Sequence, residues 1–289
     1  MTRRLWLQGA AASVAMAQIP LLRAQEAPPR LVSLSGGMTE VVYRLGVENL
    51  LVGTDTTSTY PAAALRTPKV GYMRQLSAEG VLALRPTALL GTNEAGPARV
   101  LDQLKSAGLA LHLVQADHSF EELRAKVRAV AQATGRIDAG KALDAELQQR
   151  WQASLQRVAQ AGQQRRAQNR PEPKVLFVMV HGSRPQGAGT DTAAHAMLSF
   201  AGVRNVLAGG RGYQALTAEA VAQAAPDIIL TTQDSVQASG GVERFWQHPG
   251  LAFTPAARQQ RLIAMDAMAL LGFGPRLPET LDELRQALA

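Results

Sequence analysis

The sequence predicts an α/β protein of two Rossmann-like lobes, each with a parallel sheet, joined by a single long backbone helix. Three observations lead there. Leu76-Ser77-Ala78-Glu79-Gly80-Val81, followed by Pro86 and Ala88-Leu89-Leu90, recurs 140 residues later as Leu216-Thr217-Ala218-Glu219-Ala220-Val221, followed by Pro226 and Ile228-Ile229-Leu230. Seven of the seventeen aligned positions are identical. That period is too long for a solenoid and suits two similar lobes facing a cleft. Short apolar runs alternate with helix-forming segments on both sides of the chain's middle, the pattern of a parallel sheet wrapped by helices. The middle itself, residues 119–168, is almost wholly helix-forming.

The elements follow in order. Leu31-Val32-Ser33-Leu34 reads as a buried strand, and Ser35-Gly36-Gly37 caps a helix over 38–45 that stops at Gly46. Leu51-Val52-Gly53 is a second strand opening into a polar loop over 54–61, and Lys69-Val70-Gly71 is a third short strand. The first repeat copy supplies a helix over 78–84, stopped ahead of Pro86, and the strand Ala88-Leu89-Leu90. A helix over 98–107 and a strand over 109–114 follow. Apolar residues at Leu123, Val127 and Val130, then at Leu143, Leu147, Trp151 and Leu155, fall at helical spacing, punctuated once by Gly135 and Gly140. A helix over 137–161 would span roughly 37 Å at about 1.5 Å per residue, more than either lobe needs. The solvated linker 165–173 closes it. Val175-Leu176-Phe177-Val178-Met179-Val180 has no polar interruption, as burial on both faces of a parallel sheet requires. Helices over 192–200 and 278–288 and a strand over 261–265 complete the second lobe around the second repeat copy. One helical connector predicts little hinge opening and a nearly preformed cleft.

Arg3-Arg4 ahead of Leu5-Trp6-Leu7, an Ala-rich stretch and small residues up to Ala24 form the pattern of a cleaved export signal. The arginine pair resembles a twin-arginine signal, with an ordinary secretory signal as the alternative. The expected organisation is a signal peptide over 1–24, a first lobe over 25–118, a helical backbone and linker over 119–170, and a second lobe over 171–289. No later stretch approaches the ~20 apolar residues of a spanning helix, so the mature chain is expected to be exported and soluble. The sequence has no cysteine, which excludes disulfides and thiolate metal sites. Removing 1–24 takes three of the 30 Lys and Arg and none of the 23 Asp and Glu, leaving +4. That charge is modest and scattered, which argues against nucleic acid as a partner. Enzyme signatures are missing: there is no Gly-x-Ser-x-Gly elbow, His-Glu-x-x-His or Walker loop. His112, His118, His181, His195 and His248 show no metal-ligand spacing.

The chain resembles the periplasmic substrate-binding proteins of ABC importers for cobalamin, iron–siderophores and haem, most closely the haem-binding subfamily. The carriers are Leu34-Ser35-Gly36-Gly37-Met38-Thr39-Glu40, Thr57-Ser58-Thr59-Tyr60-Pro61, Val70-Gly71-Tyr72-Met73-Arg74, Gly187-Ala188-Gly189-Thr190, and Met265-Asp266 with Gly272-Phe273-Gly274-Pro275. The resemblance implies a monomeric periplasmic protein that carries haem as transported ligand, not as a resident cofactor, to an ABC permease dimer of the inner membrane. It also implies that Tyr60 binds the haem iron, and that Glu79 and Glu219 dock onto permease arginines. A cobalamin or siderophore carrier is the alternative within the class; a periplasmic haem chaperone or enzyme on this scaffold is the alternative outside it.

The residue chemistry fits these expectations. A phenolate is a hard anionic donor suited to ferric iron, and Tyr60 sits among hydroxyls ahead of Pro61, away from any apolar run. Arg74 offers a guanidinium fork for a haem propionate, or a hydrogen bond to the phenolate, with a solvated surface arginine as the alternative. Met73 offers a soft contact to a porphyrin face, and Tyr72 belongs to the same pocket wall. His181 lies at the end of a second-lobe strand, where open α/β sheets place ligand-binding residues; it is a candidate second haem ligand or a structural histidine. Arg184 and Tyr213 are further candidates, for a propionate and a stacking wall. Glu79 and Glu219 each stand in the first turn of a capped helix, which the helix dipole alone would favour. Their repetition in two otherwise different lobes suggests a two-point grip on a symmetric partner.

Overall fold

The computed structural model describes residues 28–181 and 184–289, the side chains of His181 and Arg184 excepted. The expected export signal, 1–24, lies outside the described residues. The first lobe contains β1 (Leu31–Ser33), α1 (Gly36–Arg44), β2 (Leu51–Thr54), α2 (Ala78–Leu82), β3 (Ala88–Thr92), α3 (Ala98–Ser106) and β4 (Ala110–Val114). Its strands are ordered β2-β1-β3-β4 and all pair in parallel. Connections leave β1 and β3 in opposite directions, which opens a crevice at the carboxyl ends of these strands. The apolar runs read as buried strands are buried throughout in β1 and β3. Lys69-Val70-Gly71 departs from expectation. It makes a single bridge, Thr54 to Lys69: Pro68 brings no N–H to a ladder, and Gly71, at φ 96°, breaks the extended conformation.

The helical middle divides into α4 (Phe120–Thr134) and α5 (Ile137–Ala167). Gly135 ends α4 in the left-handed conformation, φ 68°, as a helix C-terminus favours. Gly140 lets the two helices cross closely: a Cβ there would lie 2.5 Å from the Ala131 Cβ. Helix α5 has 31 residues, roughly 46 Å. It overruns the expected end because Gly162 faces open space, where a glycine weakens a helix without breaking it.

The second lobe contains β5 (Lys174–His181), β6 (Arg184–Ala188), α6 (Ala193–Phe200), β7 (Arg204–Asn205), β8 (Tyr213–Ala215), α7 (Ala218–Ala224), β9 (Ile228–Thr232), α8 (Gln233–Ala238), α9 (Val242–Phe245), α10 (Pro255–Arg258), β10 (Leu262–Met265), α11 (Ala267–Leu271) and α12 (Leu277–Ala287). The sheet runs β10-β9-β5-β6-β8, with β7 added to β5. It is mixed: β10, β9 and β5 pair in parallel, while β5-β6 and β6-β8 are antiparallel. The wholly parallel sheet expected from sequence fails here because the chain folds straight back after His181, which pairs with Arg184.

One apolar core runs through both lobes. It contains Met38, Val41 and Val42 of α1, Leu123 and Val127 of α4, Leu147 and Trp151 of α5, and Phe177, Leu198, Phe273 and Leu281 beyond. Phe120 stacks on Trp151 at 5.2 Å, and Phe200 meets Trp151 edge-on at 4.9 Å. Polar contacts stitch α5 to each lobe: Arg44 of α1 to Glu146 at 2.8 Å, and Arg157 to Asp282 of α12 at 2.5 Å. Buried Lys126 of α4 pairs with Glu122 at 2.6 Å and donates to the Gly272 and Phe273 carbonyls at 2.9 and 3.2 Å. Long helices sharing a core with both lobes act as a spine, and close packing of this kind resists large hinge motion.

Candidate functional site

The site is built from segments that leave the carboxyl ends of the strands. After β1, Ser35 caps α1 by accepting from the Met38 N–H at 3.4 Å. After β2, buried Asp55 organises the next loop. One of its oxygens accepts from the Ser35 N–H (3.2 Å) and the Ser58 hydroxyl (2.8 Å), the other from the Thr57 N–H (3.2 Å) and hydroxyl (2.7 Å). Thr39 Oγ1 lies 2.8 Å from Ser33 Oγ and 2.7 Å from Ser58 Oγ. Lys69 Nζ donates to the Ser58 and Ala64 carbonyls at 2.8 and 3.2 Å. Thr54, Asp55 and Ser58 are therefore buried and fix the loop. Thr56, Thr59 and Tyr60 look out, Tyr60 being 46% exposed.

The Tyr60 ring has a partner that sequence reading missed. The Arg276 guanidinium carbon lies 3.9 Å from the ring centroid, within cation–π range. Arg276 precedes α12 in the second lobe, so this contact crosses the lobe boundary. Its Nε and Nη2 donate to Glu40 Oε1 of α1 at 3.0 and 2.8 Å, and Nη2 also donates to Asp266 Oδ1 at 3.2 Å. Glu40 is 3% exposed. Burial pushes its carboxyl above the usual carboxylate range, in spite of the Arg276 charge beside it. The available signal was Glu40 itself, an acid within the buried stretch Met38-Thr39-Glu40-Val41-Val42, which demands a basic partner.

The lobes meet closely around this ion pair. A Cβ on Gly37 would lie 2.2 Å from the Gly272 carbonyl oxygen, and one on Gly274 would lie 3.0 Å from the Gly37 Cα. Thr59 Oγ1 approaches Met268 Sδ at 3.7 Å.

The other expected residues divide. Tyr72 is exposed. Arg74 is paired with Glu94 at 2.5 Å, and the cation at the Tyr60 ring is Arg276, not Arg74. Met73, expected against a porphyrin face, is buried instead among Val70, Leu76 and Val81 of the first lobe's outer core, which takes its thioether out of the cleft. Tyr213, on β8, packs edge-on to Phe177 at 6.5 Å. Burial pushes its phenol up to about 12, opposed by the charge of Arg74, with Glu94 and Tyr72 also acting on it. Tyr213 of the second lobe and Tyr72, Arg74 and Glu94 of the first thus share one electrostatic neighbourhood. The backbones of His181 and Arg184 face each other in the β5–β6 hairpin, and their side chains lie outside the described residues.

Glu79 and Glu219 occupy matching places. Ser77 caps α2 by accepting from the Gly80 N–H at 3.4 Å, and Thr217 caps α7 by accepting from the Ala220 N–H at 3.1 Å. Both glutamates are exposed in the first turn, and each helix leads into a wholly buried strand, β3 or β9. Among the described residues, no cluster of His, Asp and Glu is arranged to hold a bare metal ion, and no helix is long and apolar enough to cross a membrane.

Comparison with known proteins matches residues 31–269 to the periplasmic binding protein family. The chain is 42% identical to the periplasmic heme-binding protein BhuT, solved in complex with two hemes, over 91% of this chain and 98% of that one, with a TM-score of 0.83. It is 37% identical to a periplasmic heme-binding protein from Pseudomonas aeruginosa, covering 91% and 93% with a TM-score of 0.82. A vitamin B12-binding protein from Photorhabdus laumondii is 26% identical over 91% of this chain and 88% of that one.

Proposed function

Because this chain belongs to the periplasmic binding protein family, we propose that it captures haem between its two lobes and delivers it to an ABC permease of the inner membrane. The observation that carries this reading is Tyr60: an exposed phenol at the end of a loop fixed by buried Asp55 and Ser58, with a cation from the opposite lobe against its ring. A phenolate oxygen placed there is a ferric-iron donor, and the arginine beside it balances the charge the ligand carries. Arg74 and Tyr72 line the first-lobe side, and Tyr213 the second; Arg74 exchanges Glu94 for a propionate when haem enters. His181 and Arg184 are the second lobe's candidates for axial and propionate contacts. The protein does its work as an exported monomer, binding without catalysis. The cobalamin alternative rests on a relative of lower identity than the haem-binding structures.

Glu79 and Glu219, at matching helix starts on the two lobes, are proposed to contact arginines on the two halves of the permease dimer. Changing both to alanine leaves hemin affinity unchanged and lowers haem uptake by vesicles carrying the permease about tenfold, the worth of about 1.4 kcal/mol in docking. Uptake at the wild-type rate would remove the docking role and leave haem capture standing.

A further inference from the structure

The two lobes carry the same acid at the same place, but the chain around it differs. Between β3 and β4 the first lobe places α3; between β9 and β10 the second places α8, α9, a short 3-10 helix over Leu251–Phe253, and α10. This longer connection packs against the helix that bears Glu219. A Cβ on Gly250 would lie 2.8 Å from the Ala218 Cα and 3.0 Å from the Val221 Cβ, so Gly250 touches the first turn of α7. The Phe253 N–H donates to the Gly250 carbonyl at 3.3 Å, and the Ala256 N–H to that of Pro226, just beyond α7, at 3.0 Å. Arg258 Nη1 donates to the Phe253 carbonyl at 3.0 Å. Leu251, Thr254 and Ala256 on either side are buried. The backbone is thus held on both flanks, yet the Phe253 side chain is 79% exposed, more than any other large apolar side chain of the described residues. An aromatic presented this rigidly suits an interface, because it enters an apolar recess with little further loss of freedom.

We infer that Phe253 is an apolar anchor of the permease-docking face: it fills an apolar recess beside the permease arginine that meets Glu219, and shields that ion pair from water. The inference rests on the reading of Glu219 as a docking residue. Position says what covers the ring, since Phe253 is tied through Gly250 to the turn that presents Glu219. Chemistry says why both are needed. A carboxylate and a guanidinium that meet in open water gain little from one another. The same pair closed over by an apolar side chain is screened less and holds more firmly. Docking is then unequal on the two lobes. The second lobe holds by charge and burial together. The first holds by the charge of Glu79, because the connection that carries Phe253 has no counterpart between β3 and β4 among the described residues.

The test is haem uptake by vesicles carrying the permease, measured against the concentration of hemin-loaded binding protein. Phe253→Ser is expected to raise the half-saturating concentration about tenfold, with hemin affinity and melting temperature as in wild type. Ile137→Ser, which removes another exposed apolar side chain at the start of α5, is expected to change nothing. Combined with Glu219→Ala, the loss from Phe253→Ser is expected to fall about threefold short of multiplying; combined with Glu79→Ala, the two losses multiply. Half-saturation at the wild-type concentration in Phe253→Ser, or losses that simply multiply with Glu219→Ala, would overturn the inference. So would a Phe253-dependent dimer in sedimentation, which gives this face to a second copy of the chain. If Phe253→Ser is silent while Glu79→Ala with Glu219→Ala is not, only this inference falls. Silent glutamate variants remove the docking reading, and this inference with it.

Discussion

Tyr60→Phe lowers affinity for hemin by about 100-fold, about 2.7 kcal/mol, and removes the phenolate-to-iron absorption from whatever complex remains. The substitution deletes one oxygen and little else. The ring is 46% exposed, keeps its contact with the Arg276 guanidinium as phenylalanine, and belongs to none of the apolar clusters of the described residues. Thermal stability is therefore expected to stay within about 0.5 kcal/mol of wild type, the usual range for an exposed site. The loop that presents Tyr60 is organised by Asp55, Ser58 and Lys69, none of which touches the phenol oxygen. A hemin titration and a melting curve on the same preparation separate lost ligation from lost fold. A variant that binds hemin with the wild-type spectrum removes Tyr60 as the ligand.

Gly37→Ala is the second change with a large expected effect, this time on the lobe interface. The new methyl carbon would stand 2.2 Å from the Gly272 carbonyl oxygen and 3.2 Å from the Gly274 N, both backbone atoms that no rotamer change can move aside. Gly37 has an ordinary helical φ, so the cost is contact and not conformation. Overpacking of this kind costs about 1–3 kcal/mol. For a chain of this size, at roughly 2 °C per kcal/mol, that is a fall in Tm of about 2–6 °C. Relief comes most readily by shifting α1 from the 272–274 segment, which also displaces Arg276 from Glu40 and Tyr60, so hemin affinity falls with stability. Gly80→Ala is the control. Its Cβ meets only the Ser77 Cβ, at 3.8 Å, so it should be neutral or slightly stabilising through better helix propensity. Equal melting temperatures for the two variants would mean that the lobes are not locked at Gly37.

Much of the fold is legible in the chain because it is written in local patterns. The repeated Leu-Ser/Thr-Ala-Glu segment marks α2 with β3 and α7 with β9, and the four-residue spacing from Leu143 to Trp151 marks α5. What escaped is written in pairings. Strand β6, Arg-Pro-Gln-Gly-Ala, has no strand propensity of its own and forms because β5 and β8 supply its hydrogen bonds. Gly187 even lacks space for a side chain, with Leu207 Cδ1 2.3 Å from where a Cβ would stand. The site divides in the same way. Tyr60 stands out in the sequence because it ends a hydroxyl-rich stretch ahead of Pro61, away from any apolar run. Arg276 is 236 residues from Glu40 in sequence, and only the fold shows that the buried acid and the exposed phenol share it. Met73 misled for the opposite reason: adjacency to Tyr72 and Arg74 says nothing about which way a side chain turns, and this one turns into the core.

The iron–Tyr60 bond is tested most directly by resonance Raman spectroscopy of the hemin-loaded protein, excited in the phenolate-to-iron band, with ordinary and ring-deuterated tyrosine. The account predicts phenolate modes that shift on deuteration and vanish in Tyr60→Phe. Spectra without phenolate modes in the wild-type complex, or with modes that survive in Tyr60→Phe, would contradict it.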